Sequence, residues 1–388
     1  MAKYLVQDTT LTAIADAVRA KKGTTEPIAL TDFATEIESI QSGGGSDSNK
    51  LALVAGTQSA DNIYDITAAD LDGVTEIGNY AFYFKLGLRS IALPVNCTSI
   101  GDYAFSNCTS LVSVDISNVT SIGYGAFYEC DALTSVDMPS VTSIGNTAFN
   151  RCDALASVSM PNVTSIGGGS FGDCKSLTSV SIPNVTKIDG STFTNCTSLK
   201  LISIPSVTSV GHSAFMNCES LTSIDMPSVA SIDIQAFDSC DSLKSVSMPN
   251  VTSIGRSAFR YCRSLTSISM PNVTSIGDNA FPNCYALKSV SMPNVTTIGG
   301  DAFYECNALK TLTIPSTCTS IGSYALHCGT STGKCTFIFE GTTPPSIKTT
   351  TFNASYINKI IVPAGCGEAY KTATNWTNFA NYIEEAVE

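Results

Sequence analysis

Ten phenylalanines, Phe105 through Phe303, recur every 22 residues without slippage, and each is followed three residues later by a cysteine, Cys108 through Cys306. A fixed period in the twenties belongs to chains that stack short coils, each burying its apolar face only against its neighbours. That constraint leaves no room for a closed globular core. It predicts a mainly β repeat solenoid of 22-residue coils, a scaffold suited to binding and display.

One unit shows how the coil is written. Leu133, Val136 and Met138 are spaced L-x-x-L-x-L, the strand signature of leucine-rich repeats. Val136 and Met138 alternate with polar residues, so both point to one face of a short strand. Pro139 has no ladder donor and stops that strand. Val141 and Ile144 turn inward on a second extended stretch, which Gly145 breaks. Ala148 and Phe149 open a tight turn or single helical turn that ends near Cys152. About a dozen such coils at roughly 4.8 Å spacing predict a rod on the order of 55–60 Å long.

The motif L-T-S-V-x-M-P-N-V-T-S-I-G-x-x-A-F-x-x-C resembles the BspA-like leucine-rich repeat family over roughly residues 70–330. The resemblance implies a bacterial surface or secreted protein that binds other molecules. Where the better-known leucine-rich repeat has Asn after the strand, this chain has Val, as at Val163 and Val185, so the usual asparagine ladder is not expected.

Both ends depart from the unit, as terminal coils that cover an open core must. Leu88–Ile100 and Leu309–Ile321 each carry one extra residue, with Cys97 and Cys318 in the Val slot. Lys85 replaces Cys in the first coil, and Leu326 replaces Phe in the last. We divide the chain into a helical attachment or oligomerisation module (1–41), a Gly/Ser linker (42–50), the solenoid (51–335) and a β/α C-terminal cap (336–388). Two apolar β-rich runs, a final amphipathic helix and the single Trp376 sealing the core are expected in the cap. At the other end, Leu11, Ile14 and Val18 line an amphipathic helix closed by Gly23, and Phe33, Ile37 and Ile40 line a second. Two short helices bury little core alone, so self-association or contact with a tail protein is expected there. The segment L-T-A-I-A-D-A-V-R-A-K-K-G-T-T-E-P-I resembles an N-terminal module of phage and prophage tail-associated proteins. That resemblance implies a virion component binding a bacterial surface ligand. The alternative is a bacterial surface or secreted leucine-rich-repeat binding protein.

Composition narrows the partners. Charge is low, 14% of residues, and the net charge is −12, with no basic stripe for nucleic acid. There is no long apolar run for membrane insertion and no signal-peptide h-region. No cofactor motif is present. The cysteine column points one way in register and implies no pairing, so buried free thiols are expected, with Cys97 and Cys318 as small hydrophobes. Cys328, Cys335 and Cys366 lie outside the pattern. A Cys328–Cys335 bridge, or a zinc site from Cys318, His327, Cys328 and Cys335, stays open there, although the spacing matches no known knuckle.

The chain reads as non-enzymatic. Its two histidines, His212 and His327, fall on different coils and read as surface residues. Asp115 and Asp137 share a strand position on adjacent coils, the best carboxylate pair for a polysaccharide-degrading alternative or a weak cation site. The Asn-Val-Thr triplets match the glycosylation sequon but recur because the turn recurs. Strand positions are nearly fixed as Ser and Thr, a hydroxyl-rich face, while the arc around Phe varies. There Arg256, Arg260, Tyr261, Arg263 and Tyr285 form the one local basic–aromatic cluster, the candidate site for a surface glycan or protein ligand. An Arg–Tyr site of this kind would favour acidic glycans and weaken with salt. Substitutions on this arc are expected to leave stability within about 0.5 kcal/mol.

Overall fold

The computed structural model describes residues 63–330 and 333–387. The helical module, the linker and the self-association expected of residues 1–41 lie outside them. The rest is a mainly β solenoid. In the coil written out above, the first strand Ser135–Asp137 runs parallel to Ser157–Ser159 of the next coil, pairing Ser135 with Ser157 and Val136 with Val158. The second strand, Ser143–Ile144, lies between Ser121–Ile122 and Ser165–Ile166. Leu133, Val136, Met138, Val141 and Ile144 are all buried, as their spacing requires. Fifteen first-position strands stack from Tyr64–Ile66 to Ile383–Glu385. That exceeds the expected dozen, and fourteen intervals of ~4.8 Å give a stack about 67 Å long.

The additional rungs come from the closing segment. Cys335–Phe339, Ile357–Val362 and Ile383–Glu385 continue the parallel ladder beyond Thr311–Ile314. Helix here is limited to Gly367–Thr372 and the 3-10 stretches Ala354–Tyr356 and Trp376–Tyr382, in place of one final amphipathic helix. Trp376 is fully buried, its ring packs edge-on against Phe339 and Tyr370, and its Nε1–H donates to the Pro345 carbonyl at 2.9 Å. The indole therefore seals the core with its polar atom satisfied. No helix among the described residues is long and apolar enough to cross a membrane.

Two columns run through the stack. The phenylalanine rings, from Phe82 to Phe303, lie face to face with centroids 5.0–5.7 Å apart and planes within 8° of parallel. Beside them, each cysteine thiol donates to the phenylalanine carbonyl of the preceding coil, at 3.1–3.3 Å from Cys108 to Cys306. The same carbonyl also accepts its own coil's cysteine N–H: Phe127 takes Cys130 N–H and Cys152 Sγ. The cysteine is thus a donor as well as a small hydrophobe. Burial pushes these thiols up, Cys108 to about 12 and Cys130 and Cys152 well above the usual range, so they stay protonated and donate. All fifteen cysteines are free, Cys328 and Cys335 included, and only Cys366 is not buried. A thiol reagent is expected to label at most Cys366 rapidly in the native protein and all fifteen in denaturant. Rapid native labelling of several thiols would contradict the packed column.

An amide ladder is present after all, one residue before the Val slot. Asn162, Asn184, Asn250, Asn272 and Asn294 each donate Nδ2 to the proline carbonyl of the preceding coil at 2.6–2.9 Å. Thr120, Thr142 and Thr164 hand Oγ1 bonds down a parallel column. Both polar members of the Asn-Val-Thr triplet therefore brace neighbouring coils.

The arc around each phenylalanine is held by a third backbone ladder. In one coil Thr147, Phe149 and Arg151 donate N–H to the carbonyls of Gly168, Ser170 and Gly172 at 2.7–2.9 Å. The residues two before and two after Phe adopt left-handed backbone, here Thr147 at φ 52° and Arg151 at φ 60°. That conformation is costly for a side chain bearing Cβ, and most so for a β-branched one. The flanking coils place Gly125 and Gly169 at the Thr147 position, both with positive φ. Thr147→Gly is accordingly expected to stabilise the protein by about 0.5–1 kcal/mol. The urea midpoint tests this, and a fall on substitution would show that Thr147's packing outweighs its strain.

Candidate functional site

Side chains on this arc are set by their neighbours 22 residues away. Opposite or complementary groups meet at the same coil position: Arg151 with Glu129 at 2.7 Å, Lys175 with Asp153 at 2.8 Å, and Asn195 with Asp173 at 2.8 Å. The basic–aromatic cluster obeys the same rule. Arg260 donates Nε and Nη2 to Asp238 Oδ2 at 3.0 and 2.7 Å, and Arg263 Nη1 pairs with Asp241. Both guanidinium carbons lie 5.2 Å from the Tyr261 ring centroid, so two cations lie within cation–π range of one ring. Tyr285 donates its hydroxyl to Asn283 Oδ1 at 3.0 Å, and its pKa is raised, chiefly by desolvation and then by the charge of Glu305.

The structure thus brings Arg260, Tyr261 and Arg263 together, with Tyr285 one coil on. Arg256 is exposed and makes no side-chain hydrogen bond among the described residues. Two expectations change. Asp238 is 1% exposed, so Arg260 holds a buried carboxylate and is no neutral surface position. Asp238 and Asp241 also offset the two arginine charges, which removes the basis for a strong preference for acidic glycans.

The other candidates resolve as follows. Asp115 Oδ1 accepts from the Ser117 N–H and Oγ, and Asp137 is exposed on its strand. No group of three or more His, Cys, Asp or Glu among the described residues is arranged to hold a metal ion, neither at this pair nor around Cys318, His327, Cys328 and Cys335. His212 is exposed, as expected. His327 is instead half-buried between Tyr304 and Tyr324, and burial lowers its pKa, which keeps the ring neutral. The strand face offers exposed Ser245, Ser247, Ser267 and Ser269 at equivalent positions of two successive coils.

Sequence reasoning missed a cleft of about 420 Å³ beside Tyr285, lined by Tyr304, Glu305, Asn307, His327, Asn353 and Tyr356 among others. Asn353 and Tyr356 lie outside the repeat, so no period links them to Tyr304.

Among solved structures, the chain is similar to a leucine-rich repeat protein from Bacteroides ovatus, with 26% identity over 63% of this chain and 83% of that one, TM-score 0.37. It is similar to a leucine-rich cell surface protein from Faecalibacterium prausnitzii, with 26% identity over 82% and 90%, TM-score 0.45. A leucine-rich repeat protein from Eubacterium ventriosum matches at 22% identity over 73% and 87%, TM-score 0.47. No curated protein matches the chain. The BspA type leucine-rich repeat region matches residues 75–200, 164–286 and 252–379, nearly the whole described solenoid. The chain belongs to the BspA-type leucine-rich repeat family.

Proposed function

We propose that this chain is a non-enzymatic recognition protein of a bacterial surface or of the secreted fraction, binding a glycan or protein ligand on its outer arc near Tyr261, Arg263 and Tyr285. The observation that carries this reading is the Tyr261 ring with two arginines within cation–π range, on an arc whose backbone is fixed by inter-coil hydrogen bonds. Rigid aromatic and arginine side chains lose little entropy on binding and supply most hot-spot contacts. Family membership supports the surface or secreted setting. The reading as a phage or prophage tail protein rests on residues 1–41, outside the described residues, and draws no support from the comparisons. The polysaccharide-degrading reading is weaker still, because the Asp115 carboxylate is tied to Ser117 and both Asp115 and Asp137 are exposed on their strands.

Tyr261→Ala with Arg263→Ala is expected to reduce binding to whole bacterial cells at least about tenfold. Ser247→Lys with Ser269→Lys on the strand face should change it little. Loss of binding from the strand-face pair alone would place the site on the opposite side of the solenoid.

A further inference from the structure

The cleft beside Tyr285 differs in chemistry from the arginine cluster. Its walls come from three successive coils and from the short 3-10 turn Ala354–Tyr356 of the closing segment. Tyr285, Tyr304 and Tyr356 supply aromatic surface, and no two of these three rings pack on each other among the described residues. Tyr304 is backed by the neutral His327 ring at 6.0 Å, which Tyr324 braces edge-on at 5.0 Å. Glu305 is pinned by its left-handed backbone and by an N–H donated to the His327 carbonyl at 3.0 Å. Its Oε2 lies 3.4 Å from the Tyr285 hydroxyl.

The polar groups are also arranged for a ligand. The Asn353 Oδ1 accepts from Ser355 N–H at 3.0 Å, which orients the amide, while its Nδ2 meets no protein acceptor among the described residues. The Asn307 side chain meets no protein partner among them either. The lining contains a carboxylate and no Arg or Lys. An acidic ligand would meet the Glu305 carboxylate with no cationic side chain in the lining. A simple cation would satisfy Glu305 and the rings but leave both amides unused. A molecule with apolar C–H faces and several hydroxyls uses every part: the rings take the faces, the carboxylate accepts paired hydroxyls, and the amides donate and accept.

We propose that this cleft binds an uncharged saccharide, with Tyr304 as the stacking platform and Glu305, Asn307 and Asn353 as its hydrogen-bonding partners. The inference rests on the reading of the chain as a recognition protein and assigns it a ligand class and a second site.

The test is native affinity electrophoresis of the full chain in gels containing dextran, mannan or laminarin, with polygalacturonate as the acidic probe and tetramethylammonium as the cationic competitor. At least one neutral polymer is expected to retard the protein, and raising salt from 50 to 500 mM should change the retardation less than about twofold. Tyr304→Ala and Glu305→Ala should each weaken it about tenfold or more. Asn307→Ala, which removes no protein hydrogen bond among the described residues, should weaken it several-fold without altering the fold, and so serves if Tyr304→Ala is unstable. Ser247→Lys with Ser269→Lys on the strand face should leave it unchanged. Absence of retardation by all three neutral polymers overturns the proposal, as does retardation by polygalacturonate or release by tetramethylammonium that depends on Tyr304. If cell binding persists while no neutral polymer retards the protein, the cleft assignment fails and the recognition reading stands; if both are absent, both fail.

Discussion

Phe215→Ala is expected to cost about 3–5 kcal/mol of unfolding free energy. The ring is fully buried and stacks on Phe193 at 5.5 Å and Phe237 at 5.2 Å. Its removal opens a void in the column that neighbouring coils cannot close, because the strand ladders and the arc ladder fix their spacing. In a solenoid, stability is nearly a sum of coil terms and nearest-neighbour terms, so a defect in the middle weakens two interfaces together. Urea unfolding should show a lower midpoint and a transition broadened by partial separation of the two halves. Phe303→Leu should cost less, about 1–1.5 kcal/mol, since Leu326 already fills the next position of the column. A Phe215→Ala cost below about 1.5 kcal/mol would mean that the backbone ladders, not the ring column, hold the coils together.

Most of the fold is legible in the repeat. The Phe and Cys columns, the strand before Pro139 and the inward Val141 and Ile144 all follow from periodicity, because side chains that share a phase share an environment. Three features are not legible for physical reasons. The arc ladder is made by backbone atoms, and its left-handed residues include Thr147, Arg151 and Gln235, none a turn former by type; Gly125, Gly169 and the asparagines at 107, 195, 217, 279 and 283 hint at it. The rungs after Thr311 keep the ladder but lose the spacing, with Cys335, Ile357 and Ile383 at unequal intervals, so they read as a separate cap. The cleft joins repeat residues to Asn353 and Tyr356, which no period connects. The complementary pairs are different: they lie at one phase, 22 residues apart, in the sequence itself. Variation on the arc looks free when each coil is compared with an average coil, and ordered when each is compared with the next.

That pairing sets the second large effect. Arg260→Ala is expected to destabilise the protein by about 2–3 kcal/mol, less than a fully buried pair because Arg260 itself is 39% exposed. The cost arises on the other side of the bond. Asp238 keeps only the Ser239 hydroxyl at 3.0 Å and a long contact from Gln235 at 3.4 Å, so its buried carboxylate loses its charge partner and two hydrogen bonds. Asp238→Thr should cost less, because Thr194 occupies the same position two coils earlier, half-buried and neutral. The combination Asp238→Thr with Arg260→Ala should recover at least about 1 kcal/mol relative to Arg260→Ala alone, the sign of direct coupling between the two. Additive losses in that double-mutant cycle would show that Arg260 acts through packing on Tyr261 rather than through Asp238. A coupled result carries a consequence for binding: any loss of ligand affinity in an Arg260 variant must then be read against its stability, while Tyr261 and Arg263 remain the side chains whose removal tests the arc surface itself.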